Sequence, residues 1–149
     1  MRLGIVGGRD FSNYDALRHQ INLIRSRYSV SCIVSGGAKG ADSLAERYAN
    51  EYNIKTLIFR PSWDEYGKAA GFIRNSDIIN NSDLVIAFWN GNSKGTSDSI
   101  NKALKTKTNI IVLDYYGCIN NEYTKIFNYD ILEECRFFWI IKKDILWKN

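Results

Sequence analysis

The chain has little of what most catalytic triads and metal sites are made from. It holds a single histidine, His19, inside a helical pattern. Histidine-based triads and multi-histidine metal sites therefore have little material, and a surface or satisfied histidine is expected. Three cysteines, Cys32, Cys118 and Cys135, form an odd set without CxxC spacing. Buried, reduced thiols are expected from them rather than a redox pair or a zinc site, and neither a metal nor a cofactor is expected. No window approaches the roughly 18 apolar residues of a membrane helix. "MRLGIVGG" lacks a signal-peptide apolar core, so the expected address is the cytoplasm, with no membrane partner. Long basic runs are absent as well: 20 basic and 16 acidic side chains leave a scattered net charge of +4. That balance suits an anionic small ligand and argues against a nucleic-acid partner. What is present is 149 residues, 45% apolar and 24% charged, enough for a folded unit that buries its core without disulfides.

Along the chain, apolar runs alternate with helical spacing. Leu3 to Val6 reads as a buried strand ending at Gly7-Gly8. A helix from Asn13 to about Tyr28 follows, with Ser12 or Asn13 as its cap. Val30 to Val34 is a second strand, Ala41 to Tyr52 an amphipathic helix, and Lys55 to Phe59 a third strand. The only proline, Pro61, then opens a long loop. A weaker helical pattern covers Gly67 to Asn81. It precedes a fourth strand at Leu84 to Trp89, a helix at Thr96 to Lys105 and a fifth strand at Ile110 to Leu113. Nearly continuous apolar strands alternating with helices predict an α/β, Rossmann-like doubly wound fold. Its sheet should be mainly parallel and five-stranded, with helices on both faces. Residues 1–113 form this domain. Residues 114–149 read as a C-terminal extension, with Arg136 to Ile141 a further strand or part of a helix. Phe137 to Ile141 would be a sticky patch if exposed, so the extension is expected to pack on the core or on a second subunit.

Right-handed crossovers put every strand-to-helix loop on one sheet edge. "SGGAKG", Ser35 to Gly40, lets backbone approach a bound group and leads into a helix N-terminus with unpaired N–H groups. It is neither a P-loop nor a full dinucleotide fingerprint. By itself it is equally a tight turn, and Asp42 is equally a dipole-stabilising carboxylate. Two further loops join it, Gly7-Gly8-Arg9-Asp10 and Asn90-Gly91-Asn92-Ser93-Lys94-Gly95-Thr96. With Lys68, Arg74 and Asn75, the rim combines backbone donors, hydroxyls and cations, as a phosphorylated ligand requires. Trp63 and Tyr66 are candidates for stacking on a base, whereas Phe72 and Trp89 are expected in the core.

Four segments in order, "GGRDF", "VSGGAKGADSLAERYA", "WDEYGKAAGFIRN" and "LVIAFWNGNSKGTSDSI", resemble the YspA-related branch of the SLOG superfamily. SLOG domains are Rossmann-like relatives of the Lonely Guy phosphoribohydrolases and of the DNA-processing protein DprA. The resemblance implies binding of a nucleotide or nucleotide-derived ligand such as ADP-ribose. It also implies a role in signalling or in bacteria–phage conflict, and assembly into a homo-oligomer. In the Lonely Guy motif PGGxGTxxE, Gly-Thr matches Gly95-Thr96, and the catalytic glutamate falls on Ser99. Serine cannot replace that carboxylate. Asp98 lies one residue away, about 100° around the helix, and Arg74 matches the family's arginine. The expectation is thus a sensor or sequestering protein, leaning away from an enzyme. The alternative is a nucleotide N-glycosidic-bond hydrolase drawing on Asp98, Asp42, Asp64 or Arg74. Single-stranded nucleic-acid binding by analogy with DprA stands behind both.

Overall fold

In a computed structural model, which describes residues 1–128, the elements run in strict alternation. Strand β1 is Arg2–Gly7, helix α1 Tyr14–Arg25, β2 Cys32–Ser35, α2 Ala41–Glu51 and β3 Lys55–Ile58. Then come the short helix α3 (Trp63–Tyr66), a 3₁₀ turn at Gly67–Ala69, α4 (Ala70–Asn80), β4 (Leu84–Phe88), α5 (Lys94–Lys105) and β5 (Asn109–Leu113). The five strands form one sheet in the order β3-β2-β1-β4-β5, and every pair is parallel. The expected Rossmann-like doubly wound fold is the fold observed. Because the chain runs outward from β1 to β3 and returns to start β4 on the other side, the strand order reverses between β1 and β4. A crevice opens at such a reversal, outside the strands' carboxyl ends.

Side-chain alternation divides the interior into two layers. Leu3, Ile5, Ile33, Ile86 and Phe88 face Leu17, Ile21, Ala45 and Tyr48 of α1 and α2. On the other face Val6, Val34, Val85 and Ala87 meet Ile78, Ile79, Ile100 and Ala103 of α4 and α5. The interior strands are continuous apolar runs because both faces are covered. Strand β3 departs from this. Lys55, Thr56 and Leu57 are exposed at the sheet margin, where no strand pairs with its outer edge among the described residues.

Several local expectations need correction. Of the two caps expected for α1, Asn13 is the one observed, accepting from the Ala16 N–H at 3.1 Å. The "loop" after Pro61 turns helical at Trp63, and α5 starts at Lys94, two residues before Thr96, because Ser93 caps it. Phe72 is 46% exposed rather than in the core: the buried positions of α4 are Ala70, Asn75, Ile78 and Ile79, and Phe72 falls on a different side. Cys118 is exposed and Cys32 half-buried, because Cys32 lies where β2 meets the exposed β3. Cys135 and the segment from Arg136 to Ile141 lie outside the described residues.

Residues 114–128 run back along β5. Ile110 and Lys125 exchange backbone hydrogen bonds of 2.8 and 2.9 Å. Thr124 Oγ1 accepts from Val112 N at 2.9 Å, and Asn109 Oδ1 accepts from the N–H groups of Phe127 and Asn128. This covers a strand edge that would otherwise expose unpaired backbone groups. Among the described residues, no helix is long and apolar enough to cross a membrane.

Candidate functional site

At the crevice between β1 and β4 lies a cleft of about 550 Å³. One wall is the end of β1 and its loop, with Gly7, Arg9 and Asp10; α4 contributes Gly71, Phe72, Arg74 and Asn75. Opposite them, the β4–α5 loop and the first turns of α5 bring Asn90, Asn92, Ser93, Gly95, Thr96 and Ser99. Trp63 and Lys68 overhang from the segment after β3, and Asp42 closes the floor.

The α5 wall is the first turn of a helix, the positive end of its dipole. Asn90 Oδ1 accepts from the backbone N–H groups of Asn92 and Ser93, both at 2.9 Å, which shapes the loop. Ser93 Oγ then caps Thr96 N and contacts Thr96 Oγ1 at 3.1 Å. Trp89 Nε1 donates to Ser93 O and its ring packs edge-on against Tyr123, so it anchors the loop from beneath. A Cβ built on Gly95 would have no atom within 4 Å. No internal packing explains a glycine there, and the space it leaves belongs to the cleft.

The glycines of the first two loops have internal reasons. A Cβ on Gly40, whose φ is +76°, would stand 2.2 Å from the Gly8 carbonyl oxygen. The loops after β1 and β2 approach so closely that no side chain fits between them. Gly7 faces Ala41 and Phe88, and Gly8 faces the Tyr115 hydroxyl. Gly36 leaves room for the Arg74 guanidinium. The glycines of the first two loops therefore serve close packing between neighbouring segments, whereas in the third loop both Gly91, with φ at +86°, and Gly95 meet nothing within 4 Å.

Arg74 organises the floor. Its Nη1 donates to Gly36 O at 2.6 Å and its Nε to Asn75 Oδ1 at 3.1 Å. Asn75 in turn donates to Gly95 O and to Asp98 Oδ2, both at 3.2 Å. The Asn75 amide is thus committed to internal bonds, which makes it a strut between α4 and α5. Asp42 accepts from Ala38 N at 3.1 Å and is only 6% exposed. Burial pushes its carboxyl up to about 6, against the opposing pull of the Ala38 N–H and the Arg74 charge. Burial also lowers the Arg74 pKa, with Asp42 opposing and Arg9 reinforcing the shift.

That environment gives a signed expectation. A carboxyl whose proton affinity is raised on folding contributes stability that is fully present below its unfolded value near 4 and is lost as pH rises through 6. Asp42→Asn, which keeps an acceptor for Ala38, should lack that step. Urea unfolding at pH 5 and 7.5 should show the variant gaining on the wild type by about 1.4 kcal/mol across that interval. Parallel behaviour of the two proteins would mean Asp42 is not desolvated as described.

The structure brings Gly7, Arg9, Asp42, Trp63, Lys68 and Arg74 into one cleft with Asn75, Asn90, Ser93, Gly95 and Thr96. Gly36 and Gly37 line an adjoining cleft. Gly8, Ser35, Gly40, Gly91, Lys94 and Asp98 line neither. Ser35 is buried, its hydroxyl accepting from Gly37 N. Asp98 is held by Lys102 at 2.7 Å and by Asn75, and Ser99 rather than Asp98 lines the cleft. Asp64, exposed on α3, lines neither cleft. Sequence reasoning placed Asp10 in the β1 loop but gave it no role; it accepts from the Tyr115 hydroxyl at 2.5 Å. Burial, reinforced by the Asp10 bond, raises the Tyr115 pKa. The two residues are 105 positions apart, so only the fold could join them. No group of three or more histidine, cysteine, aspartate or glutamate side chains among the described residues could hold a metal ion.

A family model described as "YspA, cpYpsA-related SLOG family" matches residues 1–66. The gene 61 protein of Mycobacterium phage D29 is 32% identical over 120 residues, covering 74% of this chain and 94% of its own. The chain belongs to the YspA-related SLOG family. Among solved structures, the DNA processing protein A (DprA) of Streptococcus pneumoniae superposes with a TM-score of 0.61 at 20% identity. The match covers 75% of this chain and only 50% of that protein. DprA of Helicobacter pylori, solved for its single-stranded DNA binding mode, gives a TM-score of 0.60 at 22% identity over 96% of this chain and 79% of its own. At such identities the likeness is one of fold. It agrees with membership of the SLOG family, whose Rossmann-like sheet this chain shares.

Proposed function

We propose that this SLOG protein binds a nucleotide-derived ligand of the ADP-ribose kind in the β1–β4 cleft, as a sensor or a sequestering protein. One observation carries the reading. Arg9, Lys68 and Arg74 converge on the cleft, and none of them has a carboxylate within ion-pair distance among the described residues. Cations without a direct ion-pair partner, beside the first turn of a helix, are the recognition chemistry of a phosphate. Trp63, half-exposed over the same cleft, supplies a ring on which a base can stack. The phage-encoded relative supports a role in bacteria–phage conflict, exercised in the cytoplasm by a homo-oligomer.

Calorimetry with AMP and ADP-ribose tests the placement. Arg9 is exposed and free of ion pairs among the described residues, so Arg9→Ala should leave stability unchanged. It should weaken binding by about 1.5–3 kcal/mol, the worth of a charged hydrogen bond. Equal affinity in the two proteins would remove Arg9 from the site. Native mass spectrometry of protein taken from cells would give the mass of a retained ligand and the number of subunits together.

Hydrolysis of a nucleotide N-glycosidic bond is the second reading, favoured by Asp42, a cleft carboxyl whose pKa of about 6 suits proton transfer near neutrality. Release of free base from AMP, NAD or ADP-ribose that is lost in Asp42→Asn would establish it over simple binding. Binding of single-stranded nucleic acid stands third. The H. pylori DprA structure was solved for that protein's single-stranded DNA binding mode, and a steep fall of affinity with salt would be its signature.

A further inference from the structure

A second cleft of about 580 Å³ adjoins the first, and the two share Arg9, Ala38, Trp63 and Arg74. Its charge is one-sided. The first cleft balances Arg9, Lys68 and Arg74 against Asp10 and Asp42. The second is lined by Arg9, Lys39, Arg60 and Arg74 and by no carboxylate at all. None of these four cations forms an ion pair among the described residues. Arg60 instead donates to the Gly37 carbonyl at 3.4 Å, a weak neutral bond for a guanidinium. Its floor is the Gly36-Gly37 backbone. Gly37 holds φ at +69°, and a Cβ there would lie 2.7 Å from Arg60 Nη1, so the glycine is what lets that guanidinium lie over the loop.

Four like charges gathered around one concavity repel each other, and an anion relieves that repulsion. Resting on the reading of the first cleft as a nucleotide site, we infer that the second cleft is a phosphate subsite. The ligand is then a nucleotide that continues past its first phosphate and carries another phosphate beyond it. Arg9 and Arg74, common to both clefts, bind the phosphate at the junction, and Arg60 with Lys39 binds the distal one. A nucleotide with a single phosphate leaves Arg60 and Lys39 unused.

The test compares AMP, ADP-ribose and the 5′-phosphorylated linear diadenylate pApA by calorimetry, on wild type and on the double variant Arg60→Ala/Lys39→Ala. Both side chains are exposed, so the variant should melt at the wild-type temperature. For wild type, pApA and ADP-ribose, each carrying a second phosphate, should bind at least tenfold more tightly than AMP. In the double variant that advantage should vanish, with AMP affinity held within twofold. If AMP binds wild type but neither pApA nor ADP-ribose is tighter, or if the variant keeps the advantage, the distal subsite is refuted and the nucleotide reading of the first cleft survives. Failure of all three ligands to bind wild type at millimolar concentration would refute both.

Discussion

Gly40→Ala should destabilise the protein by about 3 kcal/mol, which for a chain of this size lowers the melting temperature by roughly 10 °C. Two costs combine. At φ +76° and ψ −125° the Gly40 backbone occupies a region that residues with a Cβ avoid. The added methyl would also sit 2.2 Å from the Gly8 carbonyl oxygen and 2.7 Å from the Arg9 backbone. These are main-chain atoms and cannot swing aside as a flexible side chain would. The Gly8 carbonyl is itself committed, accepting from Phe11 N at 3.2 Å and from Ala41 N at 3.3 Å. Relief requires the loops after β1 and β2 to separate, and Arg9 would move away from Arg74. Thermal melts and binding should therefore deteriorate together in this variant. A melting temperature within 2 °C of wild type would show that the loops are not in the close contact described here.

The fold was legible because its signals are local. Five apolar runs, each bounded by glycine, asparagine or proline and separated by helical spacing, admit little besides a parallel sheet with helices on both faces. The convergence of the glycine loops followed from handedness alone. What the chain's order concealed was the purpose of individual glycines. Gly40 and Gly95 look alike in sequence, each opening a helix after a strand, yet one is filled by a neighbouring loop and the other faces empty space. Only the distance from one loop to the next separates them. Asp10 and Tyr115 were hidden for a related reason, since nothing near either residue marks a bond to the other. Phe72 was misjudged because apolar character was taken for burial, although α4 turns that position toward the cleft. Asp98 looked available from its spacing, but Lys102 four residues on and Asn75 across the helix pair already hold it.

Gly95→Leu is the counterpart of Gly40→Ala, and its expected outcome is opposite in stability but the same in binding. The first turn of α5 gains a better helix former, worth up to about 0.5–1 kcal/mol, and its Cβ meets nothing within 4 Å. Stability should be unchanged or slightly raised. Under the reading of the cleft as a phosphate site, the leucine occupies the volume beside the α5 N-terminus where the anion approaches, and it covers N–H groups that the anion would bind. Affinity for a nucleotide ligand should fall by a factor of about 100 or more, the loss of roughly 3 kcal/mol of charge-assisted hydrogen bonding. Joint measurement of melting temperature and affinity makes the result specific, because general damage to the fold would lower both. A variant that melts as high as wild type and binds no ligand would tie the phosphate to the α5 N-terminus. If the variant binds as well as wild type, the phosphate sits elsewhere on the rim, and the open space at Gly95 serves some other part of the ligand.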